Sequence, residues 1–148
     1  MNRHKIIPAS HLILMRNNKI LLLRRFNTGF EDGNYSLIAS HVDPKETFTQ
    51  AIIRETKEET GIIINQDDLE MVHMMHRHST MKEERIDSFF IAKNWTGEIQ
   101  NLEPNKCDNL NWFDIDNLPN NTIPYIKKAI ENIQNKKTYD EYNWKNIN

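Results

Sequence analysis

From Arg54 to Gly61 the chain reads Arg-Glu-Thr-Lys-Glu-Glu-Thr-Gly. On a helix, at about 100° per residue, Glu55, Glu58 and Glu59 fall within an arc of about 100°. Acidic residues on helices usually form a solvated face. Here Phe48, Ala51 and Ile52 point into nearly the same arc, while Gln50, Arg54 and Lys57 lie opposite, so the glutamates sit at the edge of the apolar face. Three partly buried carboxylates repel one another and are costly if left unpaired. They either take up protons or meet something cationic. Arg54, one turn before Glu58, screens one of them and leaves a surplus of negative charge. A hard divalent cation resolves the surplus. Mg²⁺, with Mn²⁺ as a second choice, prefers carboxylate oxygens and is completed by waters and substrate phosphates.

The elements that must position this cluster are legible around it. Thr47 with Gln50 three residues on is a capping-box pattern, and Gly61 is placed to close a helix running from about Thr47 to Thr60. Residues 8–15 and Ile20 to Leu23 are apolar runs separated by the turn-forming Arg16-Asn17-Asn18-Lys19, a strand pair. Residues 26–34, with two glycines, read as a loop. Tyr35 to Ile38 and His41 to Asp43 are short extended pieces. Further strands are expected at Ile62 to Ile64, residues 69–77, Ile86 to Trp95 and Leu110 to Phe113, and a second helix at about Pro124 to Gln134. From Asn135 onward the chain is polar, a tail over about 135–148 anchored by Tyr139, Tyr142 and Trp144. The order is strands, helix, strands, helix: a mixed α+β or α/β arrangement, with helices packed on a mixed β-sheet in a single domain spanning 1–148.

The 148 residues suffice for one core without staples, and 38% hydrophobic with 27% charged residues is a globular composition. A net charge of −2 argues against a nucleic-acid polymer held on a broad basic surface, though not against a single nucleotide. Cys107 is the only cysteine, which excludes an intramolecular disulfide and a thiolate metal cluster. No apolar run approaches the roughly 20 residues of a membrane span. The expectation is a cytoplasmic protein without membrane partners, a monomer or homodimer.

The stretch from Ser40 to Ile62 resembles the Nudix box: Gly, five residues, Glu, seven residues, Arg-Glu, two residues, Glu-Glu, one residue, Gly, then a hydrophobic residue. Glu46, Arg54, Glu55, Glu58, Glu59, Gly61 and Ile62 match at the required spacing. Arg24-Arg25 before the box, and Trp112-Phe113 with Leu118-Pro119 after it, are similar to MutT-like members. Three departures stand out: Ser40 replaces the opening glycine, Ile38-Ala39 replaces the usual Pro-Gly, and Thr56 occupies a usually aliphatic position.

The resemblance implies a Nudix-like α/β/α sandwich and a Mg²⁺-dependent hydrolase that cleaves a pyrophosphate linkage in a nucleotide. Glu58 and Glu59 are then the expected direct metal ligands, Glu55 a further ligand or the base, and the Ser40 carbonyl another ligand. Glu103 stands where relatives carry one more acidic group. Glu46 and Arg54 are expected to brace the loop against the helix. For substrate, the candidates are Arg25 on phosphate, His41, Tyr35 as a stacking ring, and Asn121 at the start of the second helix. Specialists for ADP-ribose, dinucleoside polyphosphates, NADH or coenzyme A tend to carry further signatures. Arg77 stands where one of them has proline. The remaining expectation is a nucleoside triphosphate, cut to monophosphate and pyrophosphate, with an ADP-sugar or a lapsed nucleotide-binding module as alternatives. His73, His76 and His78 do not share one strand face and lack a further soft ligand, so zinc is not expected.

Overall fold

The computed structural model describes residues 2–145. Nine strands and two α-helices follow in order: β1 Ile7–Ile13, β2 Met15–Arg16, β3 Lys19–Arg25, β4 Tyr35–Ser36, β5 Ile38–His41, α1 Phe48–Thr60, β6 Leu69–His78, β7 Glu84–Ala92, β8 Cys107–Asp114, α2 Pro124–Gln134 and β9 Tyr139–Tyr142. One sheet runs β5-β1-β7-β6-β9, with β1–β7 and β6–β9 parallel and the other pairs antiparallel. In the smaller sheet β3 pairs with β2 and β4, and also with β8.

Apolar runs without alternation mark strands buried on both faces, and the packing resolves them into two layers. Leu12, Leu21, Leu23, Ile38 and Phe90 pack with Ile52 of α1. Their neighbours Ile13, Ile20, Leu22 and Phe89 turn the other way and pack with Ile126, Ala129 and Ile130 of α2. The period of two along each strand thus sends alternate side chains to different helices. The result is the expected α/β/α sandwich.

Two expectations about elements change. Ile62 to Ile64 forms no strand ladder, only one antiparallel bridge between Ile63 and Thr96. The polar segment after Asn135 is not merely a tail, because β9 adds in parallel to the edge of β6, pairing Met74 to Arg77 with Tyr139 to Tyr142. Its burial alternates, with Asp140 and Tyr142 half-buried and Tyr139 and Glu141 exposed, a half-buried strand on a polar background. Residues 146–148 of that segment lie outside the described residues.

Helix α1 begins as its sequence requires. Gln50 N–H donates to the Thr47 hydroxyl, and Thr47 N–H donates to the Gln50 side chain. Gly61 closes it at φ 82°, a left-handed conformation that glycine adopts without steric cost, and its N–H donates to Lys57 O at 2.9 Å. Inside the helix Thr56 is wholly buried, and its hydroxyl has no hydrogen-bond partner among the described residues. An orphaned buried hydroxyl costs about 1–3 kcal/mol. Thr56→Val keeps the shape and removes the orphan. It is expected to stabilise the fold by about 1 kcal/mol in denaturant titrations, without changing the cluster on the next turn.

Candidate metal and substrate site

Glu55 and Glu59 lie one turn apart on the same strip of α1, and the loop before β8 brings Glu103 to them. Ligand oxygens of the three can all lie within 4.8 Å of one another. What holds that loop is the end of α1 itself. The carbonyls of the last helical turn have no partner within the helix. Here Glu59 O accepts from Leu102 N–H at 2.9 Å and Thr60 O from Gln100 N–H at 3.1 Å. Asn101 then fixes the bend, its amide donating to Cys107 O and its side-chain oxygen accepting from Glu103 N–H. The helix therefore delivers two carboxylates through its side chains and a third through its backbone.

The electrostatics of the cluster follow from burial and like charge. Burial first, then the adjacent negative charge of Glu55 and a hydrogen bond with it, push Glu59 from the ordinary 4.5 up to about 9. Burial also raises Glu55, against the lowering effects of its Glu59 hydrogen bond and the Arg54 charge. Glu59 Oε2 is buried with no partner among the described residues. Buried carboxylate oxygens without a donor are rare. An all-oxygen donor set with one buried orphan fits a hard divalent cation.

Glu58 is outside the convergent set. Its side chain is 54% exposed and lies 3.6 Å from Arg54 Nη1. The arc drawn for the three glutamates was wide enough to split: Glu55 and Glu59 are four residues apart and nearly eclipsed, whereas Glu58 turns toward solvent.

Arg54 is the hub of the loop that precedes α1. Its Nε and Nη2 donate to the two oxygens of Glu46 at 2.7 and 3.0 Å, a bidentate pair. Nη1 donates to Glu55 at 3.1 Å, and Nη2 also reaches Ser40 Oγ at 3.1 Å. Glu46 in turn accepts from Asp43 N–H. Ser40 lies in β5, opposite Ser10, and its φ is not positive. The turn is thus built from residues with side chains, and the serine hydroxyl has become part of the Arg54 network. Ser40→Gly is expected to cost about 1–2 kcal/mol, from unfolded-state entropy and the lost hydrogen bond. Thermal melts combined with Mg²⁺ titration should show lower stability and no gain in metal affinity.

Two pockets flank this region. One, of about 430 Å³, is lined by Glu55, Glu59 and Glu103 together with Asn101, Lys106 and Arg25. The other, of about 330 Å³, holds His11, Phe30, Arg77, Arg85, Asp87 and Tyr125. Arg25, Ala39, Ser40 and His41 line both, so the two are compartments of one cleft. The four substrate candidates separate accordingly. Arg25 is held by Phe30 O and Thr28 at the shared wall, while its neighbour Arg24 turns away to Asp108. His41 stands at the same wall, its Nε2 3.0 Å from Arg85 Nη1. Tyr35 is in the core, its ring edge-on to Phe113 at 4.8 Å, and lines neither pocket. An aromatic on β4 is worth more buried there than stacked at the surface. Asn121 also lines neither; its side chain donates to Gly33 O and its carbonyl accepts from Tyr35 N–H, which ties loop 26–34 to the entry of α2.

The residues that sequence reasoning missed are buried polar members of the second compartment. Asp87 and Arg77 are charged residues at inward positions of strands β7 and β6, buried to 0% and 5% exposure. Their signal was an aspartate in the mostly apolar run Ile86 to Ala92 and an arginine two residues from its cross-strand partner Met75.

The NUDIX domain profile matches residues 6–133. The chain belongs to the NUDIX family. Among solved structures, the MutT NUDIX hydrolase of Burkholderia pseudomallei is 25% identical and superposes with a TM-score of 0.78, covering 86% of this chain and 98% of that one. The NAD-capped RNA hydrolase NudC of Chromobacterium violaceum is 31% identical over 120 residues, 81% of this chain but 42% of the relative's length. The ADP-ribose pyrophosphatase of Methanocaldococcus jannaschii is 34% identical over 110 residues, 72% of this chain and 61% of that protein. The chain thus spans about two-fifths to three-fifths of these curated relatives. No helix among the described residues is long and apolar enough to cross a membrane.

Proposed function

We propose that this NUDIX chain is a Mg²⁺-dependent hydrolase that cleaves the pyrophosphate linkage of a nucleoside triphosphate, releasing monophosphate and pyrophosphate. The observation that carries the reading is the buried, partnerless Glu59 Oε2 beside Glu55 and Glu103. Glu55, Glu59 and Glu103 would hold the metal, with the Ser40 backbone carbonyl as a further donor. Glu58 is retained as an outer donor, since an exposed 3.6 Å ion pair with Arg54 holds it only weakly. Bound there, Mg²⁺, or Mn²⁺ in its place, offsets charge on phosphate oxygens and lowers the pKa of a coordinated water.

The chain's own residues then have separable tasks. Arg25, at the wall between the compartments, grips the phosphates. His41 stands on that wall with its Nε2 on Arg85, and orients the substrate as it crosses from one compartment to the other. Glu55 or Glu103, whichever is not engaged in holding the metal, takes the proton of the attacking water. Arg54 and Glu46 keep the loop against α1.

A second reading, an ADP-sugar as substrate, is favoured by the relative from M. jannaschii and by the continuity of two compartments, which suits a diphosphate carrying an organic group at each end. Purified protein with Mg²⁺ should be offered nucleoside triphosphates, ADP-ribose and NAD, with products separated by anion exchange. Monophosphate with pyrophosphate supports the first reading. AMP with ribose phosphate supports the second. No turnover with any of them, together with retained nucleotide binding, would mark a lapsed module and overturn both.

A further inference from the structure

The carboxylate compartment is lined by a second cation besides Arg25, and the fold leaves it uncommitted. Lys106 lies in the turn that carries Glu103. Its N–H donates to Glu103 O at 2.9 Å, and its carbonyl accepts from Phe26 N–H, also at 2.9 Å. The backbone at Lys106 is therefore fixed on both sides, to the Glu103 turn and to the residue that follows β3. The side chain is not fixed. It is 63% exposed, and among the described residues its Nζ meets only Glu103 Oε2, at 4.0 Å, the outer limit of an ion pair. Arg25 is the contrary case, with Nε on Phe30 O and Nη2 on Thr28 Oγ1. Arg25 also stands on the wall shared by the two compartments, whereas Lys106 lines only the one that holds Glu55, Glu59 and Glu103.

Charge decides what such an ammonium suits. The two substrate readings differ most at the end of the molecule that projects past the cleaved linkage. A triphosphate ends there in a terminal phosphate, with a charge of about −1.5 to −2 at pH 7. An ADP-sugar ends in an uncharged sugar. A linkage held at Glu55, Glu59 and Glu103 leaves that end in the same compartment, beside Lys106. We propose that Lys106 is a specificity-determining residue that meets the terminal phosphate of a triphosphate and so favours triphosphates over nucleotide sugars. The inference rests on the hydrolase reading above for the linkage that is cleaved, and on the anchored Glu103 turn for where Lys106 stands. A lysine ammonium is a compact point charge on a flexible stem, suited to a phosphate whose position varies. Its contact with Glu103 is too long and too exposed to compete with a charge-assisted hydrogen bond to phosphate.

The test compares wild type, Lys106→Met and Lys106→Arg. Calorimetry with Mg²⁺ measures binding of α,β-methylene-ATP, which resists cleavage between those phosphates, and steady-state assays give kcat/KM for ATP and for ADP-ribose. Mn²⁺ binding, followed by electron paramagnetic resonance, reports on the carboxylates without any nucleotide. Lys106→Met is expected to weaken the analogue by about tenfold, and to lower the ratio of kcat/KM for ATP over ADP-ribose by a similar factor, through KM more than kcat. Lys106→Arg should restore most of both, and the difference should shrink as salt is raised. Mn²⁺ affinity should not fall in either variant. Equal losses for ATP and ADP-ribose, unchanged binding of the analogue, no binding of it by wild type, or a fall in Mn²⁺ affinity that matches the loss of the analogue would each overturn the proposal. The last of these would mean that Lys106 acts through Glu103 and not on the phosphate. Weaker analogue binding in Lys106→Met, with no turnover of either substrate by wild type, would sustain the phosphate contact and remove the hydrolase reading. Turnover of ATP that Lys106→Met leaves unchanged would do the reverse.

Discussion

Glu59→Gln is expected to lower turnover by about two to four orders of magnitude, while making the metal-free protein more stable. The amide has the size of the carboxylate but cannot bind a cation through a charged oxygen, and a lost ligand costs several kcal/mol of transition-state stabilisation. The stability gain has the same origin. Burial and the neighbouring Glu55 raise Glu59 from 4.5 to about 9, so without a cation the fold favours its protonated form. The folded state then holds a proton that the unfolded state has released. Its contribution to stability is complete below about pH 4.5 and is lost as pH rises through about 9. Melting temperatures of metal-free wild type should therefore fall between those limits, and those of Glu59→Gln should fall much less. Added Mg²⁺ should restore wild type at high pH and leave the variant unmoved. More than about a tenth of wild-type turnover in Glu59→Gln would remove the metal assignment.

Asp87→Ala is expected to be the most destabilising single change, at about 3–5 kcal/mol. Asp87 and Arg77 are both nearly inaccessible, and the pair is joined at 2.6 Å. Removing one partner leaves a charge in the interior with no counter-ion, which costs far more than the intact pair contributes. Arg77→Met alone strands the aspartate and should also be severe. The double replacement Arg77→Met with Asp87→Leu should recover much of the loss, because an apolar pair of similar volume carries no desolvation penalty. Urea unfolding of wild type, Arg77→Met, Asp87→Leu and the double variant gives the coupling energy directly. Additive losses in the double variant would mean that the two residues are held by their surroundings and not by each other.

The carboxylate cluster at one end of the cleft was legible in the sequence because its residues are local. Glu55 and Glu59 are four residues apart on a helix whose cap, stop and apolar face can all be read off neighbouring positions. Glu46 and Arg54 pair across eight residues. The split between Glu58 and its neighbours was not legible, since a wide helical arc does not say where the apolar face ends. The compartment around Arg77 was hidden for another reason. Its members come from β1, β6, β7 and α2, and only the pairing of β6 with β7 and the packing of α2 on the sheet bring them together. Tyr35 and Asn121 show the opposite case, since neither lines the cleft. Types suited to stacking and to base reading were placed by their neighbours in sequence, while tertiary contacts had already claimed them for the core and for a loop clasp. β9 escaped because a four-residue strand of Tyr, Asp, Glu and Tyr is recognisable only beside the open edge it covers.

The bracing by Arg54 has a consequence for motion. Residues 42–47 have no regular structure, yet Arg54 ties Asp43, Glu46 and Ser40 to a side chain rooted in the middle of α1. Such a segment does not open by itself. Its backbone hydrogen bonds, such as Glu46 N–H to Asp43 O and Val42 N–H to Pro8 O, are released only when the helix lifts from β1 and β5. In hydrogen-exchange terms the segment belongs to the same cooperative unit as the helix, with the slow opening of a core element and not the rapid opening of a loop.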